Sequence, residues 1–85
     1  MKLKLRFFAS LKEQLGREVE EIEVPAGVAT VAALRTHLVK RGGEWQAAFA
    51  EKKLVRAAVN QEMAPAAAPL KAGDEVAFFP PVTGG

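Results

Sequence analysis

Lys2, Lys4 and Arg6 alternate with Leu3, Leu5 and Phe7 at the start of the chain. That period of two is the pattern of a β-strand with one face in a core and the other in water. Such a strand cannot stand alone, because its edges need strand neighbours and its apolar face needs a covering layer. The chain has 85 residues, enough for one domain with one modest core and too few for a deep substrate cleft besides. It contains no cysteine. The core must therefore hold without disulfides, and no thiol of this chain can act as nucleophile, metal ligand or persulfide carrier. Hydrophobic residues make up 49% and charged residues 26%, the balance of a folded domain.

The rest of the chain supplies what the first strand needs. Ser10 and Glu13 have the spacing of a capping box, with Leu11 and Leu15 on one side of a short helical turn that Gly16 ends. A second strand is expected over residues 18–24, with Ile22 and Val24 inward and Pro25-Ala26-Gly27 stopping it. Thr30 is placed to cap the main helix, in which Val31, Leu34 and Leu38 recur at helical spacing while Arg35 and Lys40 lie off that stripe. Gly42-Gly43 is its expected stop. Residues 44–52 hold Trp45 and Phe49 four apart, which predicts a second short helical segment lidding the core, with Trp45 inside it.

Residues 54–59 read as a third strand, Asn60-Gln61 as a tight turn, and residues 62–64 as a short extended piece. Residues 64–70 are alanine and proline without period, and Pro65 and Pro69 make them a loop. After the turn Ala72-Gly73-Asp74, residues 75–79 form a last strand with Val76 and Phe78 on one face and Ala77 and Phe79 on the other. Pro80-Pro81 ends pairing. Two strands, a long helix and further strands make a ββαβ(β) order: an α+β fold with a mixed sheet and one main helix packed on one face, the β-grasp or ubiquitin-like arrangement. Residues 1–79 are expected to be the domain and residues 80–85 an extended, flexible tail.

The formal charge is +2, and twelve basic residues are spread among ten acids without a run, so neither nucleic acid nor a membrane surface is expected as partner. The charges at the N-terminus interrupt the apolar stretch that a secretory signal or a span would need, which makes the cytoplasm the expected compartment. Side-chain catalysis is poorly served. His37, the one histidine, sits beside Leu38 on the main helix with nothing to orient its ring, and reads as a surface or packing residue. There is no paired-ligand spacing for a metal and no glycine-rich phosphate loop.

The unusual feature is Phe78-Phe79-Pro80-Pro81-Val82-Thr83-Gly84-Gly85. Two prolines hold the root of the tail extended, and two residues without side chains carry the terminal carboxylate, a shape suited to insertion into a narrow site of another protein. The carboxylate is ionised at neutral pH, with a pKa of about 3.3 to 3.7, and is a poor electrophile. Activation as an acyl-adenylate would let a sulfur nucleophile displace AMP and leave a thiocarboxylate, a one-use sulfur donor. Glycines at a terminus are also compatible with simple fraying; here they follow a strand and two prolines.

Gly73-Asp74-Glu75-Val76-Ala77-Phe78-Phe79-Pro80-Pro81-Val82-Thr83-Gly84-Gly85, together with Leu5-Arg6-Phe7-Phe8-Ala9 and Ala57-Ala58-Val59-Asn60-Gln61, resembles the small subunit of molybdopterin synthase. The resemblance covers nearly the whole chain. It implies that Gly85 is adenylated by an E1-like adenylyltransferase with ATP, converted to a thiocarboxylate, and inserted into the large synthase subunit through Pro80, Pro81, Val82, Thr83 and Gly84. There it would donate sulfur to the cyclic pyranopterin precursor, and two such transfers build the dithiolene that holds molybdenum. The resemblance further implies that this chain binds no cofactor, that the catalytic side chains belong to the partner, and that two small subunits sit at opposite ends of a large-subunit dimer. The stretch Met63-Ala64-Pro65-Ala66-Ala67-Ala68-Pro69 is blander and richer in proline than the family pattern.

Partner docking is expected on the sheet face opposite the helix, where the tail leaves the last strand. Phe79 points there if Val76 and Phe78 are in the core, and Phe8 and Met63 are candidates for the same patch. Met63 equally fits the cover of a core edge. The rival readings are a thiamine-pathway sulfur carrier, against which the two Phe-Phe pairs and Pro80-Pro81 argue, a ubiquitin-like modifier conjugated to lysines, and an interaction module without terminal chemistry.

Overall fold

The structure, a computed structural model, describes residues 1–81. Its elements are β1 (Lys2–Phe7), α1 (Ala9–Leu15), β2 (Val19–Glu23), α2 (Val31–Val39), α3 (Gly43–Phe49), β3 (Arg56–Val59), β4 (Glu62–Ala64) and β5 (Glu75–Phe79). They build a five-stranded mixed sheet in the order β2-β1-β5-β3-β4. β1 pairs antiparallel with β2 and parallel with β5, while β3 is antiparallel to both β5 and β4. The last strand is thus the centre of the sheet.

Leu3, Leu5 and Phe7 of β1 and Val76 and Phe78 of β5 are buried with Val31, Leu34 and Leu38 of α2, Leu11 and Leu15 of α1, and Phe49 of α3. The alternation in the strands and the helical stripe in α2 meet in this one core, as their two periods require. Its centre is aromatic: Phe49 stands edge-on to Phe78 at 5.0 Å, and Phe7 lies 6.3 Å from Phe49, within the range of favourable ring pairs.

Several expected boundaries move for local reasons. Ser10 and Glu13 do not form a capping box: α1 begins at Ala9, its N-cap is Phe8, and no side chain caps it. Phe8 N–H still donates to Phe78 O at 3.2 Å. The helix must therefore turn away at once, and Ala9 does so with φ 53, which places Ser10 already inside. β2 is shorter than residues 18–24, although Ile22 and Val24 are buried as expected. Thr30 does cap α2, its Oγ1 accepting from Ala33 N–H at 3.1 Å. Gly42 and Gly43 turn the chain from one helix into the next: α2 stops at Val39, and Gly42, at φ 73, caps the start of α3.

Trp45 is half-buried and not central. It packs its edge on Phe7 at 5.5 Å and lies under the guanidinium groups of Arg41 and Arg17, at 4.3 and 5.3 Å. β3 begins at Arg56 and not at residue 54, because Leu54 is 79% exposed and the preceding segment is held off the sheet by Arg35. Asn60 and Gln61 both adopt positive φ, at 51 and 70, and close the β3–β4 hairpin, as a two-residue turn of that hand requires.

The candidate docking face and tail exit

β1 and β5 run parallel, so the end of β5 lies beside the end of β1 and the start of β3. The chain leaves the centre of the sheet at Phe79, between Phe8 on one side and Arg56 on the other, and continues into half-buried Pro80 and Pro81. Val82, Thr83, Gly84 and the expected reactive Gly85 lie outside the described residues.

The sheet face away from the helices carries the outward side chains of the alternation. Lys2, Lys4 and Arg6 of β1 stand next to Glu23, Glu21 and Val19 of β2. Arg6 also neighbours Ala77, which leads through Ala58 to Met63 at the far edge. The next row holds Phe79 with Arg56 across from it. Met63 is 59% and Phe8 41% exposed, and Phe79 is half-buried. Met63 stands exposed at the β4 edge, where it also borders the cleft beside α2. Phe8 and Phe79 adjoin at the tail exit, whereas Met63 is two strands from β5, about 10 Å across the sheet. Small Ala77 and Ala58 between them leave a shallow apolar floor.

Arg6 ties the floor to its charged surround. Its Nη1 lies 3.8 Å from Glu75 Oε2, and its guanidinium lies 6.0 Å from the Phe8 ring centre. Glu75 is in turn fixed by Asn60, whose Oδ1 accepts from Glu75 N–H at 3.0 Å while Asn60 N–H donates to Glu75 O at 2.8 Å. The Asn60 side chain also holds the Asp74 carboxyl below its ordinary range, helped by the Lys71 backbone N–H and opposed by burial. The Arg6, Arg56 and Asn60 contributions escaped the sequence reading. Only the outward register of β1 and β3 signals the first two, and the third needs two turns to meet in space.

The opposite side of the sheet offers different chemistry. A cleft of about 670 Å³ runs between α2 and the β3–β4 edge, lined by Val31, Ala32, Val39, Val55, Ala57 and Ala64 with Arg35 at its side, and bordered also by Glu51, Arg56 and Met63, so that the last two adjoin the cleft as well as the open face. Arg35 is occupied: its Nε donates to Phe49 O at 2.9 Å and its Nη2 to Ala50 O and Lys53 O, both at 2.6 Å. It satisfies carbonyls left open at the end of α3. His37 is half-buried on α2. Among the described residues no group of His, Cys, Asp and Glu is arranged to hold a metal ion, and no helix is long and apolar enough to cross a membrane.

Comparison with known proteins decides what kind of sheet and tail this is. The family model described as the ThiS family matches residues 5–85. The chain belongs to the ThiS family. Among curated ThiS-like relatives, the molybdopterin synthase sulfur carrier subunits of Escherichia coli and Haemophilus influenzae are 47% and 43% identical to it over 83 residues, 98% of this chain and 99% of each relative. Solved structures share its ubiquitin-like β-grasp fold. SAMP1 from Haloferax volcanii superposes with a TM-score of 0.77 at 29% identity over the whole of both chains. A putative molybdopterin converting factor subunit 1 from Pyrococcus furiosus gives 0.78 at 32% identity, with 96% of this chain and 99% of that one covered. A complex of subunits 1 and 2 of molybdopterin-converting factor from Helicobacter pylori gives 0.66 at 26% identity, with both chains fully covered. The expected α+β fold and family are therefore those observed.

Proposed function

We propose that this ThiS-family chain is the sulfur-carrier subunit of a molybdopterin synthase, working with a large subunit and supplying no catalytic side chain of its own. The observation that carries the reading is the nearly end-to-end match to two sulfur carrier subunits, within a family model that extends to Gly85. The complex of the Helicobacter pylori subunits 1 and 2 supports a large-subunit partner. The tail exit supports the same reading, because β5 brings the chain out beside an apolar patch against which a partner can seat while the tail enters its site.

The chemistry follows from the carboxylate. A Gly85 oxygen attacks the α-phosphorus of ATP within an E1-like adenylyltransferase, forming the glycyl adenylate and releasing pyrophosphate. A sulfur nucleophile at the oxidation level of hydrosulfide adds to the carbonyl, AMP leaves, and a thiocarboxylate remains. In the large subunit the thiocarboxylate sulfur bonds to the cyclic pyranopterin precursor, and water then cleaves the acyl–sulfur bond, leaving a thiol on the precursor and returning the Gly85 carboxylate for another charging. Pro80 to Gly84 thread the tail; Phe8, Phe79 and Met63 dock it.

The test is the intact mass of the chain after incubation with its E1-like enzyme, ATP and a sulfur donor. The expected result is a shift equal to one oxygen replaced by sulfur, lost when Gly85 is deleted. No shift with an enzyme demonstrably active on another carrier would reject the reading. The likeness to SAMP1 and to small archaeal modifier protein 1 of Haloferax volcanii favours a second reading, a modifier conjugated to lysines. Isopeptide adducts recovered from cells through a tagged chain, absent when Gly85 is deleted, would support it.

A further inference from the structure

Two arginines stand on the open sheet face, and their surroundings differ. Arg6 pairs with Glu75 at 3.8 Å and lies 6.0 Å from the Phe8 ring centre, while its buried Nε has no hydrogen-bond partner among the described residues. Arg56 is exposed, and none of the ion pairs or side-chain hydrogen bonds among the described residues involves it. It lies directly across the β3–β5 ladder from Phe79, where the chain leaves the sheet. A solvated guanidinium there costs nothing. Once a partner covers Phe79 and Phe8, however, the same group loses hydration and requires an acceptor. A planar carboxylate satisfies it with two parallel hydrogen bonds.

The face is not a general anion surface. Glu21, Glu23 and Glu75 share it with Lys2, Lys4 and Arg6, so a polyphosphate backbone laid across it would meet carboxylates. Lys2 and Lys4 also have no ion pair among the described residues, but Arg56 is the one of these that stands across from Phe79. We propose that Arg56 is a specificity-determining residue of the open face, which docks a partner protein presenting an aspartate or glutamate to Arg56 while its apolar surface covers Phe8 and Phe79. The inference rests on the sulfur-carrier reading, and the occupant is the large synthase subunit. A surface with apolar cover but no carboxylate at this point strands the guanidinium, so Arg56 discriminates among partners that the aromatic patch alone would accept.

Calorimetric titration of the full chain into the large synthase subunit from the same genome, at two salt concentrations, tests this. The variants are Arg56→Ala, Arg56→Glu and Lys40→Glu. The last makes the same charge change at an exposed residue at the end of α2, and circular dichroism verifies folding of each. The expected result is affinity reduced several-fold by Arg56→Ala and about tenfold or more by Arg56→Glu, a smaller salt dependence in both, and a change within about twofold for Lys40→Glu. Equal losses for Arg56→Glu and Lys40→Glu, or none for either Arg56 variant, would overturn the inference and leave the carrier reading intact. Failure of the unmodified chain to bind would reject both. Self-association of the unmodified chain in sedimentation, abolished by Arg56→Glu, would assign the face to a second copy and also overturn the proposal.

Discussion

Asn60 and Asp74 clamp two turns together: Asn60 Nδ2 donates to Asp74 Oδ1 at 3.0 Å, while Asp74 Oδ2 accepts from Lys71 N–H at 2.8 Å. Asp74 is only 7% exposed, and the pair joins the β3–β4 hairpin to the start of the central strand. Removing one partner of a buried hydrogen bond leaves the other unsatisfied. Asn60→Ala and Asp74→Ala are each expected to lower stability by about 1–3 kcal/mol in urea denaturation at pH 7.

The same clamp sets an acid dependence. Asn60 and the Lys71 backbone lower the folded-state pKa of Asp74, and the Arg41 guanidinium, with Arg17, lowers that of Glu20. A depressed carboxyl pKa stabilises the fold at pH above the unfolded values, about 3.9 for Asp and 4.3 for Glu, and that contribution disappears as pH falls through the folded value. Stability should therefore decline from about pH 5 downward, and Asp74→Asn should flatten the decline. An unchanged slope in urea titrations between pH 5 and pH 2 would show that Asp74 does not contribute to it.

Adjacent phenylalanines of β5 have opposite fates. Phe78 is 1% exposed in the core, and Phe78→Ala is expected to cost about 3–5 kcal/mol by thermal or urea unfolding. Phe79 is half-buried on the opposite, proposed docking face, so Phe79→Asp should leave the melting temperature nearly unchanged while weakening binding to the large synthase subunit in calorimetry. Retained affinity would remove Phe79 from the interface.

Arg35 places its planar fork on carbonyls of Phe49, Ala50 and Lys53. Arg35→Met should cost about 2–3 kcal/mol, and Arg35→Lys should not restore it, because an ammonium lacks the fork that reaches several acceptors at once. Amide exchange of the α3–β3 connection should rise in both variants.

Ala9 begins α1 at φ 53, a conformation in which its Cβ crowds the following carbonyl. Ala9→Gly relieves that crowding at the cost of chain entropy, and a net gain of up to about 1 kcal/mol in urea stability is expected.

Much of this molecule is written locally. The alternation of Leu3, Leu5 and Phe7, the stripe of Val31, Leu34 and Leu38, the Thr30 cap and the Asn60-Gln61 turn are each determined within a few residues, and each stands where the sequence places it. The outward orientation of Phe79 follows from the inward one of Phe78 by the same period. The candidate reactive end, Gly84-Gly85, is likewise read from sequence and lies outside the described residues.

Other features depend on partners distant in the chain. Ser10 loses its capping position because β1 remains bonded to β5 through Phe8. Leu54 is excluded from β3 where Arg35, eighteen residues before Lys53, holds the preceding turn. Trp45 stays at the rim because Arg41 and Arg17 cover its ring. The sequence alone determined which faces are apolar and where the chain turns, since those follow from short-range periodicity and backbone preference. Only the tertiary structure decided that β5 would lie at the centre, that Phe8 and Arg56 would flank its exit, and that Asn60 would meet Asp74, since strand order and side-chain partners depend on contacts between segments far apart in sequence.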